Sequence, residues 1–270
     1  MSADWESSDE FCPVNCEFRF MSSSTEVNNK KSVAIMQPTF IPWIGYLDLI
    51  DQVDEFVFLD NVQFEKQSWQ QRNQIRTSNG LEWITVPVFI KGRFGQLLQD
   101  VEIQLGKFPK NHIKQIHQNY SKAPFYQPII DQFEESLYQA AESGSLCTLN
   151  ISLIDWLCDY FSINTPRIRA SSLGGSGKRS QRLIGILEKL NATKYISPRG
   201  SAEYLLQDMA LFREIGITVK LAGFNHPSYQ QIYSPFIPFA SAIDLAFNVG
   251  EDGLSLIRSG RQSTTLLENT

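Results

Sequence analysis

Between residues 60 and 73 the chain reads Asp-Asn-Val-Gln-Phe-Glu-Lys-Gln-Ser-Trp-Gln-Gln-Arg-Asn. Asp60, Asn61, Gln63, Glu65, Lys66, Arg72 and Asn73 supply hydrogen-bonding and charged groups, with Phe64 and Trp69 interleaved. That mixture suits a polar small molecule: the rings form a platform, while carboxylate, amide and guanidinium groups fix orientation. A solvated charged loop accounts for the same residues without a ligand. Asp60 or Glu65 is a candidate to take a proton from an attacking amine, and so is His226 in the late segment Asn225-His-Pro-Ser-Tyr-Gln230. A lone loop histidine is more often structural. Tyr229 of the same segment is a candidate substrate contact.

Residues 171–182 read Ser-Ser-Leu-Gly-Gly-Ser-Gly-Lys-Arg-Ser-Gln-Arg. Gly174, Gly175 and Gly177 let backbone N–H groups approach a phosphate, and a following helix adds its positive end. Lys178, Arg179 and Arg182 add charge. The stretch fails the G-x-x-x-x-G-K-[ST] pattern, because Ser172 stands where the first glycine belongs and Arg179 where Ser or Thr belongs. A looser phosphate site and a plain helix-start turn both remain open. Arg199, in Ser197-Pro-Arg-Gly-Ser-Ala-Glu-Tyr204, is a further candidate anion ligand. No Ser-His-Asp order, HExxH or GxSxG occurs, which argues against hydrolases and zinc enzymes. His112 and His117 are five apart, a poor spacing for one metal, and no metal ligands are assigned.

These residues need elements to hold them. Val33-Ala-Ile-Met36 suits a buried strand, and the loop after it is punctuated by Pro38 and Pro42. Residues 45–53 carry Leu47, Ile50 and Val53 at helical spacing, and Phe56-Val-Phe-Leu59 is a second buried strand. Strand, helix and strand within this span make one βαβ unit, which favours a parallel sheet. Strands are also expected at 82–88, 167–171, 194–197 and 217–221, with an edge strand at 101–105. Helices are expected near 109–120, 128–142, 149–161, 178–190 and 202–215. The fold class is therefore α/β: a mostly parallel central sheet with flanking helices and a helical insertion or subdomain. Ligands of such sheets bind beyond the carboxyl ends of the strands. That rule puts Gln37, Thr39, Trp43 and Tyr46 on a pocket wall, together with the 60–73 loop (Gln63, Lys66, Trp69, Arg72, Asn73).

The chain has 270 residues, 42% hydrophobic and 20% charged, with a net charge of −5. That length supports a sizeable core. The acidic balance argues against a broad nucleic-acid surface. Four cysteines with no CxxC pair fit a reduced, cytoplasmic setting. No apolar run is long enough to span a bilayer. Residues 1–31, polar and serine-rich, read as a disordered tail, with Met21 an alternative start. Residues 32–258 read as the α/β domain and 259–270 as a flexible tail.

Met36-Gln-Pro-Thr-Phe-Ile-Pro-Trp-Ile-Gly-Tyr46, then Val57-Phe-Leu-Asp-Asn-Val-Gln-Phe-Glu-Lys66 with Ser68-Trp69 and Arg72-Asn73, resemble the WbqC-like family. Ser176-Gly-Lys178, Tyr195-Ile-Ser197, Pro227-Ser-Tyr-Gln230 and Ser241 to Asn248, including Asp244, fit the same resemblance. It runs from about residue 33 to 250. The resemblance implies an association with O-antigen and other polysaccharide precursors, notably acylated amino sugars. It thus points to acyl or aminoacyl transfer to the amine of a nucleotide-linked amino sugar. A weaker resemblance to pantothenate synthetase implies an ATP-dependent amide ligase, with Mg²⁺, that activates a carboxylate as an acyl-adenylate for attack by an amine; nucleotidyl transfer to a small molecule is a rival. The HxGH signature of those enzymes is replaced here by Trp43-Ile-Gly-Tyr46. A non-catalytic nucleotide-sugar binder is the third option. Cofactor and oligomeric state are not fixed by these residues.

Overall fold

The structure is a computed structural model that describes residues 30–174 and 177–268. Its centre is a six-stranded sheet built from β1 (Ser32–Met36), β2 (Glu55–Phe58), β5 (Arg167–Arg169), β6 (Lys194–Pro198), β7 (Thr218–Phe224) and β8 (Arg261–Leu266). The strand order is β5-β2-β1-β6-β7-β8, parallel throughout except for β8, which runs antiparallel to β7. A hairpin of β3 (Arg72–Thr77) and β4 (Gly80–Thr85) stands apart from it.

The helices follow from the apolar spacing. They are α1 (Ile44–Asp51), α2 (Lys110–Tyr120), α3 (Tyr126–Glu142), α4 (Leu146–Tyr160), α5 (Ala170–Leu173), α6 (Ser180–Lys189), α7 (Ala202–Gln207), α8 (Met209–Glu214), α9 (Ala242–Val249) and α10 (Gly253–Ser259). Helices α2 to α4 are the helical insertion, entering between β4 and β5. Successive strand residues point to opposite faces. Ala34, Phe56, Phe58 and Ile196 therefore join one core with residues of α1, α4 and α9, whereas Val33, Ile35, Val57 and Tyr195 join a second core with α6 and α8. With both faces covered, the central strands read as near-continuous apolar runs.

Three expectations are corrected. Residues 260–266 are no loose tail: α10 ends at Ser259, and Arg261–Leu266 pairs with β7 as an edge strand. Arg261 and Arg258 also bind α1, through Asp48 and Asp51. Residues 101–105 make only isolated bridges, Val88 with Ile103 and Glu102 with Ser145. β3 occupies part of the stretch read as a polar loop. Of the tail expected over residues 1–31, residues 1–29 lie outside the described residues, whereas Lys31 is fixed by the N–H groups of Thr193 and Lys194 and by an ion pair with Glu55.

Cys147 and Cys158 are buried, and burial pushes both thiols up to about 12, so they are poor nucleophiles. No helix among the described residues is long and apolar enough to cross a membrane.

One packed histidine gives a pH test. His112 on α2 is 8% exposed, with Nε2 3.1 Å from the Thr85 carbonyl and Nδ1 without a partner. Burial lowers its pKa from 6.5 to about 4. The unfolded chain therefore takes up this proton near pH 6.5 and the folded chain only near pH 4. His112 contributes stability above pH 6.5 that is lost as pH falls toward 4, about 3 kcal/mol at full extent. Asp48 acts in the opposite sense: burial lifts it to about 6, so its contribution fades as pH rises through 6. Urea unfolding of wild type and His112→Gln at pH 7 and pH 4.5 separates the two. The gap between the variants should narrow at the lower pH, and an unchanged gap would contradict the assignment.

Candidate active site

The sheet order reverses direction at one place. From β1 the chain builds outward through β2 to β5, then returns to place β6 on the other side of β1. At such a reversal the loops leaving adjacent strands part in opposite directions and open a crevice at the carboxyl ends. Here that crevice lies between the loops after β1 and β6.

Three adjoining cavities occupy it. The largest, about 550 Å³, is lined by residues including Gln37, Arg179, Arg182, Gly200, Glu203 and Tyr204. A middle one of about 310 Å³ shares Gln37, Leu59 and Tyr204 with it and adds Thr39, Glu65, Ser68, Trp69 and Gln70. The third, about 300 Å³, shares Met36, Thr39 and Trp69 with the middle one and is closed by Trp43, Tyr46, Asn73 and Phe239. The crevice thus grades from a basic end, through a polar centre, to an aromatic end.

The wall after β1 is fixed by bonds from four elements. Asn73 Nδ2 donates to the carbonyls of Phe40 (3.0 Å) and Ile41 (2.9 Å), and Ser241 Oγ donates to Ile41 as well (2.7 Å). Asn150 of α4 donates to the Pro38 and Gln70 carbonyls, and Tyr46 Oη to that of Gln37. This stitching holds Ile41, a β-branched residue, at φ +34°. Among the described residues six non-glycines have positive φ, and Ile41, Gln67, Arg179 and Phe239 all sit in loops on this face. Strain concentrated on one face is characteristic of functional sites.

The polar density of residues 60–73 divides into two jobs. Asp60 is buried: Oδ1 accepts from the Ser171 N–H (2.9 Å) and Oδ2 from its hydroxyl (2.6 Å), so it ties β2 to the start of α5. Asn73 holds the wall. Buried Gln70 reaches both the Glu65 N–H and, at 2.6 Å, the Gln37 amide oxygen. Glu65, Ser68 and Trp69 line the crevice itself. Gln63 and Lys66 are exposed and do not line any of the three cavities. Arg72 stacks over Trp83 at 4.0 Å, and Trp83 packs on Trp69.

At the basic end, Arg179 is exposed and its guanidinium makes no hydrogen bond among the described residues. Arg182 donates from Nε to the Gly177 carbonyl (3.1 Å) and from a terminal nitrogen to the Asn61 carbonyl. Gly177 sits at φ +121°, where a Cβ would press on Gln181 and the Arg182 N–H. Lys189 caps the carbonyls of Leu173 and Gly174. Gly175 and Ser176 lie outside the described residues. Lys178 is exposed beside Arg179. Arg199 lies against Gly223 of β7 and does not line the large cavity.

His226 stands one ring behind the aromatic end, stacked on Trp43 (centroids 6.1 Å, interplanar angle 18°) and on Tyr229. Its Nδ1 faces the Pro227 carbonyl at 2.8 Å, and Nε2 is buried without a partner. Burial lowers its pKa, so the ring is neutral at pH 7. Tyr229 lines none of the three cavities and donates to Asp244 (2.7 Å).

Several lining residues were missed in the sequence. Glu203, Tyr204 and Gln207 lie on one exposed helix, and only the strand–loop–helix position of that segment marked it. Phe239, 52% exposed between Pro238 and Ala240, carries no polar signal. Among the described residues no group of three or more His, Cys, Asp or Glu is placed to hold a metal ion.

The strand order defines a doubly wound α/β protein with a crevice at its topological switch. The WbqC-like protein family matches residues 37–256, and the chain belongs to that family. It is 36% identical over 233 residues to a protein of Mycobacterium tuberculosis (strain ATCC 25618 / H37Rv) described as the uncharacterized protein Rv1507c, covering 86% of this chain and 100% of that one. No solved structure matches.

Proposed function

We propose that this protein is a cytoplasmic enzyme of polysaccharide or O-antigen precursor synthesis. It binds a nucleotide-linked amino sugar in the crevice and transfers an acyl or aminoacyl group to the sugar amine. The observation that carries this reading is the graded crevice. A cavity of about 550 Å³ with Arg179 and Arg182 on its wall suits a sugar diphosphate, and the polar chamber beside it contains a free carboxylate, Glu65. Arginine forks match phosphate oxygens.

In this reading the amine nitrogen attacks the carbonyl carbon of an activated donor, a thioester or acyl phosphate. The C–N bond forms and the C–S or C–O bond breaks, the leaving group taking the electron pair. Glu65 accepts the amine proton and passes it to the leaving group. Asp60, engaged by Ser171, and His226, behind Trp43, serve as positioning residues.

The test incubates purified protein with a nucleotide-linked amino sugar and a panel of acyl thioesters and acyl phosphates. A parallel set contains glycine, ATP and Mg²⁺. Mass spectrometry should find the amide, and Glu65→Gln should lower kcat by about 10² or more. Pyrophosphate release without amide would favour nucleotidyl transfer. Thermal stabilisation by the sugar nucleotide with no product from any donor would favour a binding protein.

A further inference from the structure

The 300 Å³ end of the crevice has a chemistry unlike the rest. Its walls are Met36, Thr39, Trp43, Tyr46, Trp69, Asn73 and Phe239, with no charged residue among them. The polar atoms of Tyr46 and Asn73 on this wall are already engaged. Tyr46 Oη donates to the Gln37 carbonyl, Asn73 Nδ2 serves Phe40 and Ile41, and Asn73 Oδ1 accepts from the Gln74 N–H. Among the described residues the uncommitted polar groups of this wall are the Thr39 hydroxyl and the indole N–H groups of Trp43 and Trp69; Thr39 and Trp69 also line the middle chamber. Trp43 and Phe239 meet edge to face at 5.4 Å and close the far side.

We infer that this chamber is the acyl pocket and that it selects a short, uncharged acyl group. This rests on the acyl-transfer reading above and chooses within it. The acyl chain lies among the rings, and its carbonyl oxygen accepts from the Thr39 hydroxyl at the junction with the chamber that contains Glu65. Size supports the choice, since about 300 Å³ is at the small end of ligand sites and leaves no room for a fatty chain. Charge supports it too. The ammonium of an amino acid would enter without a carboxylate partner and lose its hydration. A cationic occupant held by the rings alone is the competing chemistry, and the test includes it.

Neutral straight-chain amides are the probes, because they carry the acyl chain and its carbonyl without needing turnover. Acetamide, butyramide and hexanamide are titrated into the full-length protein, with glycinamide and tetramethylammonium as charged probes of small size. Trp43 and Trp69 report by intrinsic fluorescence. Affinity should climb about fourfold per added methylene. Phe239→Ala should weaken hexanamide about tenfold and Thr39→Val about fivefold. Phe94→Ala, at a remote position 97% exposed, should change nothing. Glycinamide or tetramethylammonium binding as tightly as hexanamide would overturn the inference, as would affinity independent of chain length. Uridine diphosphate is titrated in parallel against Arg179→Ala. Uridine diphosphate binding without amide binding refutes the acyl pocket alone. Amide binding without nucleotide binding leaves the pocket standing and counts against the nucleotide-sugar reading.

Discussion

Asp244→Ala is expected to cost about 3–5 kcal/mol of stability, a fall of about 10 °C in Tm for a protein of this size. Asp244 is wholly buried at the start of α9. Its Oδ1 accepts from Tyr120 (2.9 Å) and Asn248 (3.3 Å), and its Oδ2 from Tyr229 (2.7 Å) and Gln231 (2.8 Å). Burial raises its pKa, opposed by these donors and by the nearby Arg76. Removing the carboxylate leaves several buried donors without an acceptor, which costs more than the bonds contribute net. Two of them, Tyr229 and Gln231, belong to the loop that ends in Phe239. Arg76 holds the same loop by donating to the carbonyls of Tyr233 and Pro235. The variant should therefore lose binding at the aromatic end as well as stability. Asp244→Asn, which keeps one acceptor oxygen, should lose less. Urea unfolding checks the first part, and a cost below about 1 kcal/mol would remove Asp244 as the anchor.

Gly45→Ala is expected to damage the site more than the fold. The Trp43 indole folds back across the first turn of α1, so a Cβ at residue 45 would lie 2.2 Å from its nearest ring carbon. A ring held between Phe224, His226 and Phe239 cannot yield that distance without leaving its place. Overpacking costs about 1–3 kcal/mol, offset by about 1 kcal/mol of helix propensity gained over glycine. The net loss of stability should be small, about 1–2 kcal/mol. Hexanamide affinity should fall by an order of magnitude or more, because Trp43 is a wall of its chamber. A crystal structure of the variant with Trp43 unmoved, or unchanged amide binding, would contradict this account.

The elements visible in the sequence are those whose stability comes from apolar burial. Val33-Ala-Ile and Phe56-Val-Phe are buried on both sides and read as strands; α3, α4 and α6 bury one periodic face. β3 was invisible for the opposite reason. In Arg72-Asn-Gln-Ile-Arg-Thr only Ile75 is apolar, yet Asn73, Arg76 and Thr77 are buried because each is hydrogen-bonded. Composition cannot distinguish a buried, satisfied polar residue from a solvated one. The same ambiguity covers Asp60, whose carboxylate type suits proton transfer but whose partners make it a brace. β8 escaped notice because Arg261-Gln-Ser-Thr-Thr-Leu is a polar edge strand, half exposed and paired on one side. Of the crevice, the walls after β1 and β2 and the position of Arg179 were legible, whereas Lys178 lines none of the three cavities. The contributions of Glu203 and Phe239 depend on how distant loops converge, and no local pattern encodes that.

The central claim is that the β1–β6 crevice holds a nucleotide-linked sugar with its phosphates at Arg179. Calorimetric titration of a nucleotide-linked amino sugar into wild type and Arg179→Ala tests it most directly, because that side chain braces nothing else among the described residues. Wild type should bind, and the variant should bind about tenfold or more weakly with unchanged thermal stability. Equal affinity in both proteins, or no binding to wild type, would contradict the account.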